Sequence, residues 1–145
     1  MVLLLLSACG HSEPQKITLN EERTEEQRTL EIFFLTFLQG HDDGERVEMA
    51  RFTPFAWDTV HLFGGYTQGE TINQALGVEW VEPDVMVPEH QELLIFSHRG
   101  RVVEHLLTSA SIFNQIDPPL SPETAIFEVQ VEPDDPTDRT FIMAQ

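Results

Sequence analysis

The stretch Leu93-Leu94-Ile95-Phe96-Ser97-His98-Arg99-Gly100-Arg101-Val102-Val103-Glu104-His105-Leu106 decides the fold class. Two apolar, partly β-branched runs flank a short polar centre in which Gly100 can take a positive φ without steric penalty, the pattern of a tight hairpin between antiparallel strands. Upstream, Asp58-Thr59-Val60-His61-Leu62-Phe63 alternates with the period of two that a half-buried strand requires, and it stops at Gly64-Gly65. Downstream, Ala125 to Val131 reads as a further strand, with Arg139 to Ala144 as its return after the acidic turn Glu132-Pro133-Asp134-Asp135-Pro136. Prolines and acidic residues mark a loop between Trp80 and Pro88, and Pro118, Pro119 and Pro122 mark a second break. Strands joined by tight turns pair with their neighbours, so the sheet is mostly antiparallel.

A different period governs the N-terminal side. Leu30, Phe33, Phe34, Phe37 and Leu38 recur at i, i+3, i+4, i+7 and i+8, one apolar helix face, and Ile32 with Leu35 widens it so that cover from more than one side is expected. Thr18-Leu19-Asn20-Glu21 matches a capping box ahead of this helix, and Gly40 stands where a left-handed stop would fall. A second box, Thr67 with Glu70, precedes Ile72, Ala75 and Leu76, and Gly77 closes this shorter helix. Val47 to Phe52 reads either as a short strand or as an irregular approach to Pro54. The expected fold is α+β, an N-terminal long helix and a short helix packed on a mostly antiparallel β-sheet, in a single domain spanning 18–145.

The length of 145 residues suits one domain. Eight Lys and Arg against 25 Asp and Glu give a net charge of −17, which repels nucleic acid and anionic lipid headgroups. A hydrophobic content of 41% with ten Phe is too apolar for a disordered acidic chain, so the charge coats a folded domain. Lys16 is the only lysine, which removes Schiff-base chemistry and a phosphate-loop lysine from the folded part. Cys9 is the only cysteine, so intramolecular disulfides and cysteine metal clusters are impossible.

Met1-Val2-Leu3-Leu4-Leu5-Leu6 is an uncharged apolar run that ends in Ser7, Ala8 and Cys9. An apolar run leading into small residues is the layout of a secretory processing site. Leu6-Ser7-Ala8-Cys9 resembles the lipobox of bacterial lipoproteins. The resemblance implies acylation of the Cys9 thiol, cleavage before it, and attachment to the membrane through the lipid. Without a basic start, 1–8 reads as a truncated signal peptide, followed by a lipidated polar tether at 9–17. Gly10 in place of the Asp that retains some lipoproteins at the inner membrane leaves both membranes of an envelope open. The segment Phe55-Ala56-Trp57-Asp58 through Tyr66-Thr67 to Leu76-Gly77 resembles a group of small envelope lipoproteins of uncharacterised function. It implies location and fold, and no activity.

Trp57 and Asp58 with Tyr66 form the candidate binding surface, because flat aromatic contact beside a hydrogen-bonding carboxylate suits a sugar ring or a peptide. The competing reading is structural: Trp57 in the core, Asp58 capping a turn or paired with Arg51, and Thr67 capping a helix. His98 with His105, and His41 with Asp42 and Asp43, lack the spacing of a metal site, and His61 reads as a half-buried or surface residue of its strand. No serine-nucleophile, phosphate-loop or dinucleotide motif occurs, and no cofactor, metal or catalytic residue is implied. The expected function is a non-catalytic, lipid-anchored accessory or binding module of the cell envelope with an envelope protein as partner. The alternative is a small envelope hydrolase, which would need a cleft where Asp58, His61 or Glu79 meets another titratable group.

Overall fold

The computed structural model describes Leu19 and residues 24–108, 112–114 and 119–144. The expected signal peptide and tether, Cys9, and all but Leu19 of the expected capping box at 18–21 lie outside the described residues. Helix α1 (Glu25–Gln39) is capped by Thr24. The Thr24 hydroxyl accepts from the Gln27 amide at 3.2 Å while the Gln27 side chain accepts from the Thr24 amide at 3.2 Å, a reciprocal box. Glu25 and Glu26 in the first turn suit the positive end of the helix dipole.

Gly40 does not stop this helix in the left-handed region; its φ is −79°. The Gly40 amide caps the last carbonyls from a right-handed conformation, the His41 ring adds a bond from Nδ1 to the Phe37 carbonyl at 2.7 Å, and the left-handed residue is Gly44 at φ +81°. The apolar stripe is also rotated from the expected one. Phe34, Leu38 and Glu31 face inward, whereas Phe33 is 44% and Ile32 62% exposed. Seven apolar residues within nine positions cover more of the helix circumference than one packing contact can bury, so the second cover expected over Ile32 is absent among the described residues.

Strand β1 (Arg46–Glu48) runs directly into the single helical turn α2 (Met49–Phe52), so the Val47 to Phe52 segment is a strand followed by a turn of helix. Then follow β2 (Thr59–Phe63), α3 (Gly69–Leu76), β3 (Leu93–His98), β4 (Arg101–Leu107), β5 (Phe113–Asn114), β6 (Ile126–Glu132) and β7 (Asp135–Met143). The β6–β7 turn is only Pro133-Asp134; Asp135 and Pro136 already belong to β7.

The class is α+β, but the strands form two sheets rather than one. One has the order β1-β6-β7-β5, antiparallel except for β5 on β7, and the other is the antiparallel β2-β3-β4. The Val60–Leu120 bridge occupies the free edge of β2. Between the sheets lies the main core, with Phe34, Phe52, Trp57, Phe96, Phe127 and Phe141 among its members, and α1 closes it by packing on β4 and β7. The other face of the three-stranded sheet carries a second core, in which Phe63, Leu93, Ile95 and Leu107 meet Ile72 of α3 and Val81 and Val87 of the following loop. Strand periodicity sends Leu94 and Phe96 to one core and Leu93 and Ile95 to the other, which is why β3 is apolar at every position from 93 to 96.

Candidate functional site

The two ends of β2 carry the sequence-predicted surface, and the structure divides it. Trp57 is buried at 7% exposure; its indole N–H donates to the Thr53 hydroxyl at 2.7 Å and its ring meets Phe96 edge-on. It is therefore a core residue and offers no exposed platform. Asp58 is exposed and holds the β3–β4 hairpin: Oδ2 accepts from the Arg99 amide at 2.7 Å and Oδ1 from the Thr59 hydroxyl at 3.1 Å. These bonds, led by the Arg99 amide, hold the carboxyl below the usual aspartate range. They also restrain a turn in which Arg99 and Gly100 both have positive φ, 50° and 74°, as a two-residue hairpin loop requires. Arg51 is paired with Glu48 at 3.0 Å and not with Asp58.

Tyr66 lies beyond the other end of the strand, across five residues of about 3.3 Å rise each, too far from Asp58 to share a ligand with it. Its φ of 67° is rare for an aromatic residue, and it arises at the third position of the turn Gly64 to Thr67. Thr67 closes that turn, its hydroxyl donating to the Gly64 carbonyl at 2.8 Å, and does not cap α3, whose N-cap Gln68 makes no side-chain cap bond. The Tyr66 ring is 61% exposed and its hydroxyl donates to Glu89, which pushes the phenol pKa up.

The histidines do not converge. His98 Nδ1 stands 3.7 Å from Asp58 Oδ2 at the hairpin tip, whereas His105, farther along β4, contacts Gln27 of α1 and meets Trp80 edge-on at 5.1 Å. His61 is 8% exposed, lies flat on Phe63 at 5.9 Å, and its Nδ1 has no partner among the described residues. Glu79 lines a shallow depression at the end of α3 together with Glu70. No group of three potential metal ligands gathers among the described residues.

Burial lowers the pKa of both His61 and His105 from the ordinary value of 6.5. The unfolded chain therefore binds more protons than the folded one just below that value, and the stability these residues contribute is present above pH 6.5 and lost as pH falls. Asp58 and Asp135, depressed from 3.8, act in the same direction but in a separate window below that pH. Urea midpoints are expected to fall when pH is lowered through 6.5, and the slope should flatten in His61→Gln/His105→Gln; an unchanged slope would show that other groups carry it.

Among the described residues a further concave surface lies beside α1, and the sequence reading missed it. Leu30 and Phe33 of α1 with Pro54 and Phe55 form the floor of a groove of about 530 Å³, and Glu25, Glu26 and Thr29 of α1 and Glu104 of β4 stand around it. Phe55 is fixed there by edge-on contact with Phe96 at 4.9 Å. The available signal was the surplus apolar width of residues 30–38, which a single buried face cannot use. No protein-family model, curated protein or solved structure matches this chain. No helix among the described residues is long and apolar enough to cross a membrane.

Proposed function

We propose that this chain is a lipid-anchored protein of the bacterial cell envelope that acts as a non-catalytic binding module. The observation that carries the reading is Leu6-Ser7-Ala8-Cys9, in which the only cysteine of the chain falls at the one position that acylation requires. The net charge of −17 would push the domain away from anionic lipid, so attachment has to come from acyl chains together with a second contact to an envelope partner. The module reading is supported by the use of the buried or oriented carboxylates: Glu92 binds the Ile112 and Phe113 amides and Asp58 the Arg99 amide, while the exposed aromatic surface is left for contact.

The test is metabolic labelling with radioactive palmitate in a bacterial host, with the chain placed behind a complete export leader. Labelled protein is expected for the native sequence and none for Cys9→Ala. Equal labelling of the two would overturn the anchor.

A further inference from the structure

Exposed Phe33 sits between two walls. On one side α1 contributes Glu25, Glu26 and Thr29; on the other stands Glu104 of β4. The floor is apolar, and no Lys or Arg among the described residues lines the groove. Arg28, the described cation nearest in sequence, lies about 140° around the helix from Phe33 at 100° per residue. The groove therefore combines an apolar floor with carboxylates on both walls, and its described lining carries no basic side chain.

We infer that this groove receives a cationic, amphipathic peptide segment of an envelope partner, with one large apolar side chain seated against Phe33, Leu30 and Phe55 and basic side chains reaching Glu25, Glu26 and Glu104. The inference deepens the binding-module reading and rests on it. Charge complementarity selects the occupant: the carboxylates disfavour an anionic bilayer, and a second copy of a −17 chain would bring like-charged walls together. Strand addition on β4 is also disfavoured at this point, because Glu104 Oε1 already accepts the His105 amide at 3.1 Å, blunting the strand edge. Recognition thus runs through side chains, an apolar anchor flanked by charges.

The experiment uses the whole 145-residue chain, unlipidated and carrying Cys9→Ser, titrated calorimetrically with a short synthetic peptide of Lys with Leu and Phe at helical spacing. Two comparison peptides replace every Lys by Glu, or every Leu and Phe by Ser. Saturable binding of the first peptide alone is expected, weakening with salt, with amide shifts centred on Leu30, Phe33, Phe55 and Glu104. Phe33→Ser, and separately the pair Glu26→Gln/Glu104→Gln, should each weaken binding about tenfold, whereas Phe33→Met should keep it within a few-fold. Glu70→Gln/Glu79→Gln removes the same charge from the depression beside α3 and should leave affinity within about twofold.

Equal weakening by that control pair would reduce the binding to diffuse attraction and overturn the proposal. Equal binding of the Glu peptide, or of the Ser peptide, would show that the charge or the floor is not read and would overturn it as well. A dimer in sedimentation that Phe33→Ser dissolves would make a second copy the occupant. Because the titration does not involve the lipid, its failure leaves the anchor standing, and loss of palmitate labelling leaves the titration unchanged.

Discussion

Glu92→Ala is expected to lower the free energy of unfolding by about 3–5 kcal/mol, read as a fall in the urea midpoint. Glu92 is 7% exposed, just before β3, where a carboxylate has no solvent to offset its desolvation. Its oxygens accept the amides of Ile112 at 3.1 Å and Phe113 at 3.1 and 3.3 Å. Its backbone meanwhile exchanges bonds with Thr108, the Thr108 amide donating to the Glu92 carbonyl at 2.8 Å and the Glu92 amide to the Thr108 hydroxyl at 3.1 Å. The residue therefore ties the three-stranded sheet to β5, which belongs to the other sheet, and seats Phe113 against Phe127 and Phe141. Alanine would leave two buried amides without acceptors, each costing about 1–3 kcal/mol. Glu92→Gln keeps one acceptor oxygen and should cost about half as much, since its amide nitrogen would face donors. Amide exchange at Ile112 and Phe113 separates this account from a general loss of packing. If those amides stay protected in Glu92→Ala, the carboxylate is not what orders them.

Local chemistry was legible in this sequence wherever one residue's backbone preference decides the outcome. Gly100 and Gly77 adopt the positive φ values of 74° and 72° expected of them, and β2, β3, β4 and β6 fall where alternation or turn residues put them, whereas β7 begins at Asp135, inside the expected turn. The errors share another cause, competition from side chains distant in sequence or from neighbouring backbone. Thr67 matched a capping box, yet the Gly64 carbonyl is within reach of its hydroxyl, and the Gly69 and Glu70 amides at the start of α3 already donate to the Val85 and Pro83 carbonyls. Gly40 does close α1 as its C-cap but stays right-handed, and the His41 ring adds a bond to the Phe37 carbonyl that becomes available only once the helix exists. The division into two sheets rests on β1 pairing with β6, far along the chain, while β2 pairs with β3, a partner choice that no local periodicity records.

The candidate site was less legible for a related reason. Trp57, Asp58 and Tyr66 are close in sequence, but an extended strand separates its two ends by its whole length, and Trp57 turns inward against Phe96. The groove residues come from three separate segments around positions 25–33, 54–55 and 104, and no spacing rule joins them. What the sequence did carry was an excess: Ile32 and Phe33 beside Phe34 give α1 more apolar surface than the core accepts. Such a surplus announces a contact without naming its other side.

Gly69→Ala is expected to cost about 2–4 kcal/mol, far more than an alanine at an ordinary surface position. A Cβ on Gly69 would stand 2.0 Å from the Glu82 carbonyl oxygen, 3.0 Å from its carbon and 3.2 Å from Val81 Cγ1. The first two are backbone atoms that cannot swing aside, so the loop that follows α3 must lift. Lifting it stretches the bonds that join the Gly69 amide to the Val85 carbonyl at 2.7 Å and the Glu70 amide to Pro83 at 3.1 Å. Val81 and Val87, fully buried over Leu93 and Ile95, would then lose their seat on the sheet. Gly77→Ala provides the contrast: its φ of +72° strains alanine by about 1–2 kcal/mol, but nothing lies within 4 Å of the added carbon. The two tryptophans report on different cores, Trp57 on the one between the sheets and Trp80 on the one beneath the loop. In a Trp57→Phe background, the emission of Trp80 should shift red in Gly69→Ala and stay unchanged in Gly77→Ala. A Trp80 spectrum that is unaffected by Gly69→Ala, with an unchanged urea midpoint, would mean that the loop does not press on this glycine and that the second core is closed by other means.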